Sequence, residues 1–335
     1  MDAVTGQFLK KSITPVSIMK PPFFISLQEH IFFIGSCFSE YLYVYLKKHC
    51  IHSCTSPFGN TYNPLSVAFT LEMLNQNNVI GEDEVFEHLG LFRHFAFHTK
   101  VCMTDKDAYL TAINTRIDSA GAFLRKARVL VITLGTAYAY IYRKTGCVVN
   151  NCHKLPASEF ERRLISKEEI VDTLGKTLKA LKKKLPDLFT VITLSPVRHL
   201  RDRADENSLS KAVLRCAIEG LLSLPDTWYF PSYEIMLDEL RDYRYYADDL
   251  CHPSDTAAHY IMERFCESCF TDETRKFIEE IAQLMKAIYH RTVHIETDLY
   301  KKFMEKQEKK LSDLKKRYPM LPIYGSIEEW KESDI

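Results

Sequence analysis

Glycine is scarce in this chain: 11 residues in 335, where the usual share would give roughly 23. Where glycine is this rare, those that remain tend to mark backbone positions that need it. Long apolar runs are missing too, and none approaches the ~18–20 residues of a membrane span. A charge imbalance is absent, with 44 Lys+Arg against 44 Asp+Glu, so no global field draws in nucleic acid or a membrane surface. The opening residues MDAVTGQFLKKSITPV lack the basic stretch, apolar core and small-residue cleavage site of a secretory signal. The ten cysteines are irregularly spaced, which reads as reduced thiols rather than a disulfide framework. A cytoplasmic protein is the expectation. Neither internal repeats nor low-complexity tracts nor Gly/Ser linkers break up the chain. A hydrophobic content of 46% with 26% charged residues is ordinary globular composition and excludes a disordered or fibrous chain.

Four short apolar runs punctuate the sequence: IFFIG at 31–35, VLVITLG at 129–135, TVITLS at 190–195 and WYFP at 228–231. Each stops at glycine or proline, as buried strands do. Helical patterns occupy 37–50, 105–128, 166–184 and 208–224 between them. This alternation predicts βαβ units and a parallel sheet covered on both faces. Beyond Pro253 the pattern turns helical, over 254–269, 272–290 and 298–318. From Lys286 to Tyr318 ten Lys/Arg stand against five Asp/Glu, a solvated face or a patch for an anionic partner. The expected architecture is an α/β domain over 1–285 with a C-terminal helical extension over 286–335 packed on it. Its core is a three-layer α/β/α sandwich with about five parallel strands in flavodoxin-like order.

Open parallel sheets bind ligands at the carboxyl ends of their strands, so the segments after the apolar runs are the candidates. Gly35-Ser36-Cys37 would set a thiol at a helix amino end, where the dipole is expected to lower its pKa. Alternatively, Cys37 is a small apolar residue under the helix. The turn-forming cluster from Ser56 to Pro64 offers the Gly59 N–H, Asn60 and Asn63 as oxyanion donors, or is an ordinary loop. Gly135-Thr136 closes the second run. Arg198 and His199, after Ser195-Pro196, could hold a carboxylate or sugar hydroxyls, cap a helix, or pair with Asp202. Asp249 stands three residues before His252, a spacing that lets a carboxylate orient one imidazole nitrogen while the other faces a nucleophile. His94 and His98 share a face in strand or helix, but no carboxylate stands at metalloprotease spacing, and no metal is expected. Cys266-x-x-Cys269 has no second pair and reads as packing.

Taken together, these segments resemble the SGNH (GDSL-type) hydrolase superfamily and, within it, the GSCFA family. The chain reads GSCFS at 35–39, SPFGNTYNP at 56–64, TLGTA at 133–137 and NCHK at 151–154. It continues with SPVRH at 195–199, YFPSYEI at 229–235, DELRDYRYYADD at 238–249 and D-x-x-H-P-S at 249–254. The resemblance runs from about Phe32 to Phe270, in the expected order. It implies a nucleophile two residues after Gly35, which is Cys37, with Ser36 as the alternative if the register shifts by one. It further implies an oxyanion glycine at Gly59 and an acid–base pair at Asp249 and His252. The superfamily's oxyanion asparagine falls on Ala137, a departure that removes one donor. His98 and His153 also match family segments and join Gly135, Thr136, Arg198 and His199 as candidate substrate contacts.

The activity this implies is hydrolysis or acyl transfer on an ester or thioester through a Cys(Ser)-His-Asp triad, without cofactor. The substrate would be a small-molecule or carbohydrate ester; neither nucleic acid nor a membrane span is expected. The alternative is a non-catalytic ligand-binding or scaffold protein that keeps the fold, which Ala137 favours.

Overall fold

The computed structural model describes residues 14–199, 202–290 and 297–332. The opening stretch discussed above, up to residue 13, and the part of the basic run at 291–296 lie outside them. The chain begins with β1 (His30–Gly35), α1 (Cys37–Lys48), β2 (Ser53–Thr55) and α2 (Pro64–Gln76). A hairpin of β3 (Phe86–His88) and β4 (Leu91–Arg93) precedes α3 (Lys106–Leu124) and β5 (Ala127–Leu134). Then come β6 (Tyr138–Tyr142), β7 (Cys147–Val149), β8 (Phe160–Leu164), α4 (Lys167–Lys184), β9 (Phe189–Leu194), α5 (Ala204–Leu221) and β10 (Thr227–Phe230). After short helical segments at Ser232–Glu234, Ile235–Glu239 and Tyr243–Tyr245 come α6 (Asp255–Cys269), α7 (Asp272–Ile288), α8 (Asp298–Arg317) and α9 (Ile327–Glu332).

The central sheet is parallel, five-stranded and ordered β10-β9-β5-β1-β2. Among its own strands this is the expected flavodoxin-like order, and the three-layer reading holds. Strand residues alternate between two cores, as period-2 side chains must. Ile31, Phe33, Val129, Val131 and Val191 face the side covered by α1, α6 and α7, where Leu42, Phe265 and Phe277 are fully or almost fully buried. Phe32, Ile34, Leu130, Ile132 and Ile192 face α2 to α5, meeting Leu71, Ile113, Leu174 and Leu214. Being covered on both faces is why these strands are continuous apolar runs rather than alternating ones. Leu311 and Leu314 of α8 and Trp330 of α9 enter the first of these cores.

Helix starts follow local capping chemistry. Asp105, Ser166, Ser254, Thr271 and Thr297 each accept a backbone N–H of the helix they open. The 105–128 pattern stops as a helix at Leu124 because β5 begins at Ala127. The 208–224 pattern begins earlier, at Ala204, where Glu206 accepts the Arg203 N–H at 3.0 Å. Unanticipated are two small antiparallel sheets, β3-β4 and β7-β6-β8. The β3-β4 turn is built on Leu89 and Gly90, both at positive φ (55° and 72°), the twist that tight hairpins require.

Order in the central sheet reverses between β1 and β5: the chain moves from β1 to β2 on one side, and to β5, β9 and β10 on the other. In an open α/β sheet, the crevice beyond the carboxyl ends at such a switch point is where ligands bind. The residues leaving β1 and β5 are Ser36-Cys37 and Gly135-Thr136.

Candidate functional site

Backbone hydrogen bonds join the five candidate segments into an open ring beside the switch point: the first three close on one another, the fourth joins the third, and the fifth joins the fourth. The Ser36 N–H reaches Thr133 O at 2.9 Å, and Thr61 N–H reaches Gly35 O at 2.7 Å. Tyr62 O accepts both Gly135 N–H (2.9 Å) and Thr136 N–H (3.1 Å). Ser195 N–H joins Leu134 O at 2.8 Å, and Arg198 N–H joins Cys251 O at 3.0 Å. Gly35 makes the closest of these approaches possible. Its φ is +137°, and a Cβ there would lie 2.1 Å from Thr133 O, inside any van der Waals limit. Gly135 also faces the centre: a Cβ on it would stand 3.2 Å from both Ser36 Cβ and Tyr62 O, and 3.4 Å from His199 Nε2.

Asp249 and His252 form a closed local unit. One carboxylate oxygen accepts the N–H groups of Cys251 (2.9 Å) and His252 (3.0 Å), and the other accepts from imidazole Nδ1 at 2.6 Å. An ionised carboxylate only accepts, so Nδ1 carries the proton and Nε2 keeps its lone pair. The His252 and Cys251 amides, with the imidazole, hold the Asp249 carboxyl down at about 2. Leu250, between the two, adopts φ +56°, the backbone reversal that lets residue 252 fold back on residue 249.

Cys37 is the first residue of α1 and Ser36 its N-cap. The expectation of a lowered thiol pKa is overturned. Burial, with the Glu40 carboxylate adding to it, pushes Cys37 up to about 11, although the amides of Cys37 and Phe38 and the Lys211 ammonium pull the other way. Desolvation outweighs the dipole. Cys37 therefore rests as a thiol and needs a base to become a nucleophile. Ser36 is fully buried, and its hydroxyl neither caps the helix nor has a hydrogen-bond partner among the described residues.

His199 is the second imidazole of the ring. Its Nε2 is buried without a hydrogen-bond partner among the described residues, and its ring stands edge-on to Tyr62 at 5.9 Å. Burial first, then the charges of Lys211 and His252, pull it down to about 4, so it is neutral. The Arg198 side chain is exposed and does not pair with Asp202, which Arg162 holds at 2.6 Å. Sequence reasoning missed Lys211 altogether. It lies on the buried stripe of α5 with Asn207, Leu214 and Ile218, and its ammonium donates to Gly135 O and Ser195 O, both at 2.8 Å. A lysine on the apolar face of an amphipathic helix was the available signal.

Other candidates sit differently. Asn63 is the N-cap of α2: its Oδ1 accepts Ser66 N–H at 2.9 Å and one amide hydrogen goes to Ser66 Oγ at 3.0 Å, which commits the side chain to the cap and leaves one N–H over. The Gly59 N–H turns toward Ser56 O at 3.3 Å, a long bond. Asn60 holds Glu40 loosely at 3.4 Å. His98 packs over Gly59, where a Cβ would lie 2.7 Å from His98 Cβ. His153, 1% exposed, is fixed to His94 O at 2.9 Å among Phe86 and Phe95, in the small-sheet region. Residues 94–98 form turns rather than one strand or helix, with Phe97 N–H on His94 O at 3.0 Å. Among the described residues no group of three or more His, Cys, Asp or Glu is arranged to hold a metal ion. Nor is any helix there long and apolar enough to cross a membrane. Ala137 is fully buried, and its N–H is bound to Ser210 Oγ at 2.7 Å; an asparagine there would enter the core.

A surface hollow of about 220 Å³ lies at the opposite end of the sheet, against Thr190 and Thr227 where β9 and β10 begin. It shares no residue with the ring. A sequence model of the GSCFA family matches residues 30–265, a stretch that contains all five segments. Among curated proteins, none matches the chain.

Proposed function

The chain belongs to the GSCFA family, and on that premise we propose that it is an SGNH-type acyl-transfer enzyme, a hydrolase or acyltransferase acting on an ester or thioester. The observation that carries this reading is the Asp249–His252 pair. With Asp249 as acceptor, the neutral imidazole presents a lone pair on Nε2; its segment is tied to the others through Cys251 O, and among the described residues no hydrogen bond joins Nε2 to Cys37. A base so oriented is what a resting thiol or hydroxyl requires.

In the proposed reaction, Nε2 of His252 takes the Cys37 proton as Sγ attacks the acyl carbon, and the carbonyl π electrons move onto oxygen. The Cys37 N–H is the first donor proposed for that oxyanion, and the Gly59 N–H and Asn60 amide join it by leaving their long bonds to Ser56 O and Glu40. Collapse expels the alkoxide or thiolate, which takes the proton from His252, and leaves an S-acyl enzyme. Water or an acceptor hydroxyl then attacks with His252 again as base, releasing the acyl product and restoring the thiol. Asp249 stays ionised and balances the transient imidazolium. Gly135, Thr136, Arg198, His199 and His98 line the approach as substrate contacts. His153, buried and fixed to His94 O, is left out of that set.

A second reading makes Ser36 the nucleophile. It is favoured by the buried, unpartnered hydroxyl of Ser36, whose Cβ shares the space over Gly135 with His199 Nε2. Turnover of a panel of aryl esters and acyl thioesters separates the two. Loss in Cys37→Ala and His252→Ala with retention in Ser36→Ala supports the thiol; the reverse supports Ser36. Rates in all variants equal to wild type would leave a non-catalytic protein.

A further inference from the structure

The buried lysine is the strongest unabsorbed feature of the molecule. Lys211 is 2% exposed, a burial that lysine almost never accepts without a partner of opposite charge. Among the described residues its ammonium makes no ion pair. Instead it donates to the two carbonyls that end β5 and β9, Gly135 O and Ser195 O. An ammonium has three donors, and two are spent. The groups that act on it come from three neighbouring elements. Burial pulls Lys211 down to about 7; against that, Cys37 at the head of α1 favours its charge, while Arg198 beyond β9 opposes it, and the Tyr233 ring stands 5.8 Å from Nζ. His199, in the same loop as Arg198, feels the Lys211 charge in turn.

We propose that Lys211 is a positioning residue of this site: its buried ammonium clamps the ends of β5 and β9 and supplies the positive charge that the Cys37 thiolate faces as it forms. This deepens the acyl-transfer reading and rests on it. The thiol is the group whose charge Lys211 favours, and the amine in turn lowers the thiol's pKa. Such coupling is reciprocal. The clamp explains why an isolated cation is kept where an apolar residue would pack: a leucine or methionine would satisfy the core but leave Gly135 O and Ser195 O unpaired. It would also remove the one cationic side chain that lowers the Cys37 pKa and leave the opposing Glu40 charge in place.

The test is the rate of Cys37 alkylation by iodoacetamide, followed peptide by peptide by mass spectrometry across pH 6–10. It compares wild type, Lys211→Met, Lys211→Arg and His252→Ala. The expected result is that at pH 6, below the Lys211 pKa of about 7, Lys211→Met slows Cys37 about tenfold, one unit of thiol pKa, while Lys211→Arg stays within about threefold. An unchanged rate in a folded Lys211→Met overturns the inference. The His252→Ala arm reads the catalytic reading separately, since it removes the base and leaves the clamp intact. A second measurement needs no substitution. Wild type is alkylated at Cys37 with iodoacetate, which leaves a carboxylate, or with iodoacetamide, which leaves a neutral amide. The Lys211 Cε resonance is then titrated in each. A midpoint higher by at least about half a unit with the carboxylate is expected; identical midpoints overturn the proposal even if Lys211→Met does not fold.

Discussion

Replacing Asp249 with asparagine isolates the orientation of His252 from the fold of its loop. The asparagine Oδ1 can still accept the Cys251 and His252 backbone N–H groups, now at 2.9 and 3.0 Å, so the turn survives. The third bond does not survive in kind. Where Asp249 accepts from Nδ1 at 2.6 Å, the asparagine presents an NH₂ donor, and Nδ1 must become the acceptor. The ring proton then moves to Nε2, which can no longer take a proton from Cys37. Two losses combine: the tautomer is wrong, and the carboxylate that balances an imidazolium is gone. In a triad with this logic such a change costs about 10⁴ in kcat with geometry intact. The assay is kcat and kcat/KM on whichever ester or thioester wild type turns over, with thermal unfolding as the control for fold. The expected outcome is an unfolding midpoint close to wild type and a loss of about three to four orders of magnitude, carried by kcat. Asp249→Asn with activity within tenfold of wild type would refute the orienting role.

Other substitutions test the frame and the histidines. Gly35→Ala brings a Cβ against Thr133 O at 2.1 Å with φ at +137°; it should cost at least ~3 kcal/mol in denaturant unfolding. Asn63→Ala should lose about 1 kcal/mol of stability, the value of an N-cap, with kcat unchanged; a large fall in kcat would return Asn63 to the oxyanion site. Glu239 is fully buried and accepts from Arg264, Tyr260 and the Val16 N–H, each at 2.6 Å. Glu239→Gln removes the buried counter-charge of Arg264 and leaves only the exposed Glu267 at 3.9 Å; it should cost about 2–3 kcal/mol. Burial holds His94, His153 and His199 at about 4, against 6.5 when exposed. The unfolded chain binds those protons first, so stability is full above pH 6.5 and is lost as pH falls toward 4. The slope reaches up to about 4 kcal/mol per pH unit for three groups, and it should be shallower in His153→Gln; an unchanged slope in that variant would contradict the assignment.

The strands that position the site were legible because burial on both faces turns them into short apolar runs, and because Gly35, Gly135 and Pro196 stop them where the chain must turn. The β7-β6-β8 sheet was not legible. YAYIY is bulky at nearly every position, which hides its alternation, and β2, β3, β4 and β7 have three residues each, too few for any period. The Asp249–His252 spacing spoke directly, since a three-residue turn brings the two groups together with no help from the rest of the fold. The thiol of Cys37 misled, because the helix dipole can be read from the sequence whereas the depth of burial that overrides it depends on how α1 packs. Asn63 carried its own signal, an asparagine immediately before a helix-opening proline, which is N-cap chemistry. Lys211 was hidden by habit rather than physics: a charged residue on an apolar stripe is usually a solvated edge, and here it turns inward to two strand-end carbonyls.

The central claim is that His252 activates Cys37, and the alkylation rate of that one thiol at pH 7 tests it most directly. Iodoacetamide consumption at Cys37, resolved from the nine other cysteines by peptide mass, is measured in wild type and in His252→Ala. Exposed Cys147 and Cys216 serve as internal references that the substitution should not touch. The account predicts that Cys37 slows at least about tenfold, the lower side of what a positioned base contributes, while the references hold. Equal Cys37 rates in the two proteins would contradict it.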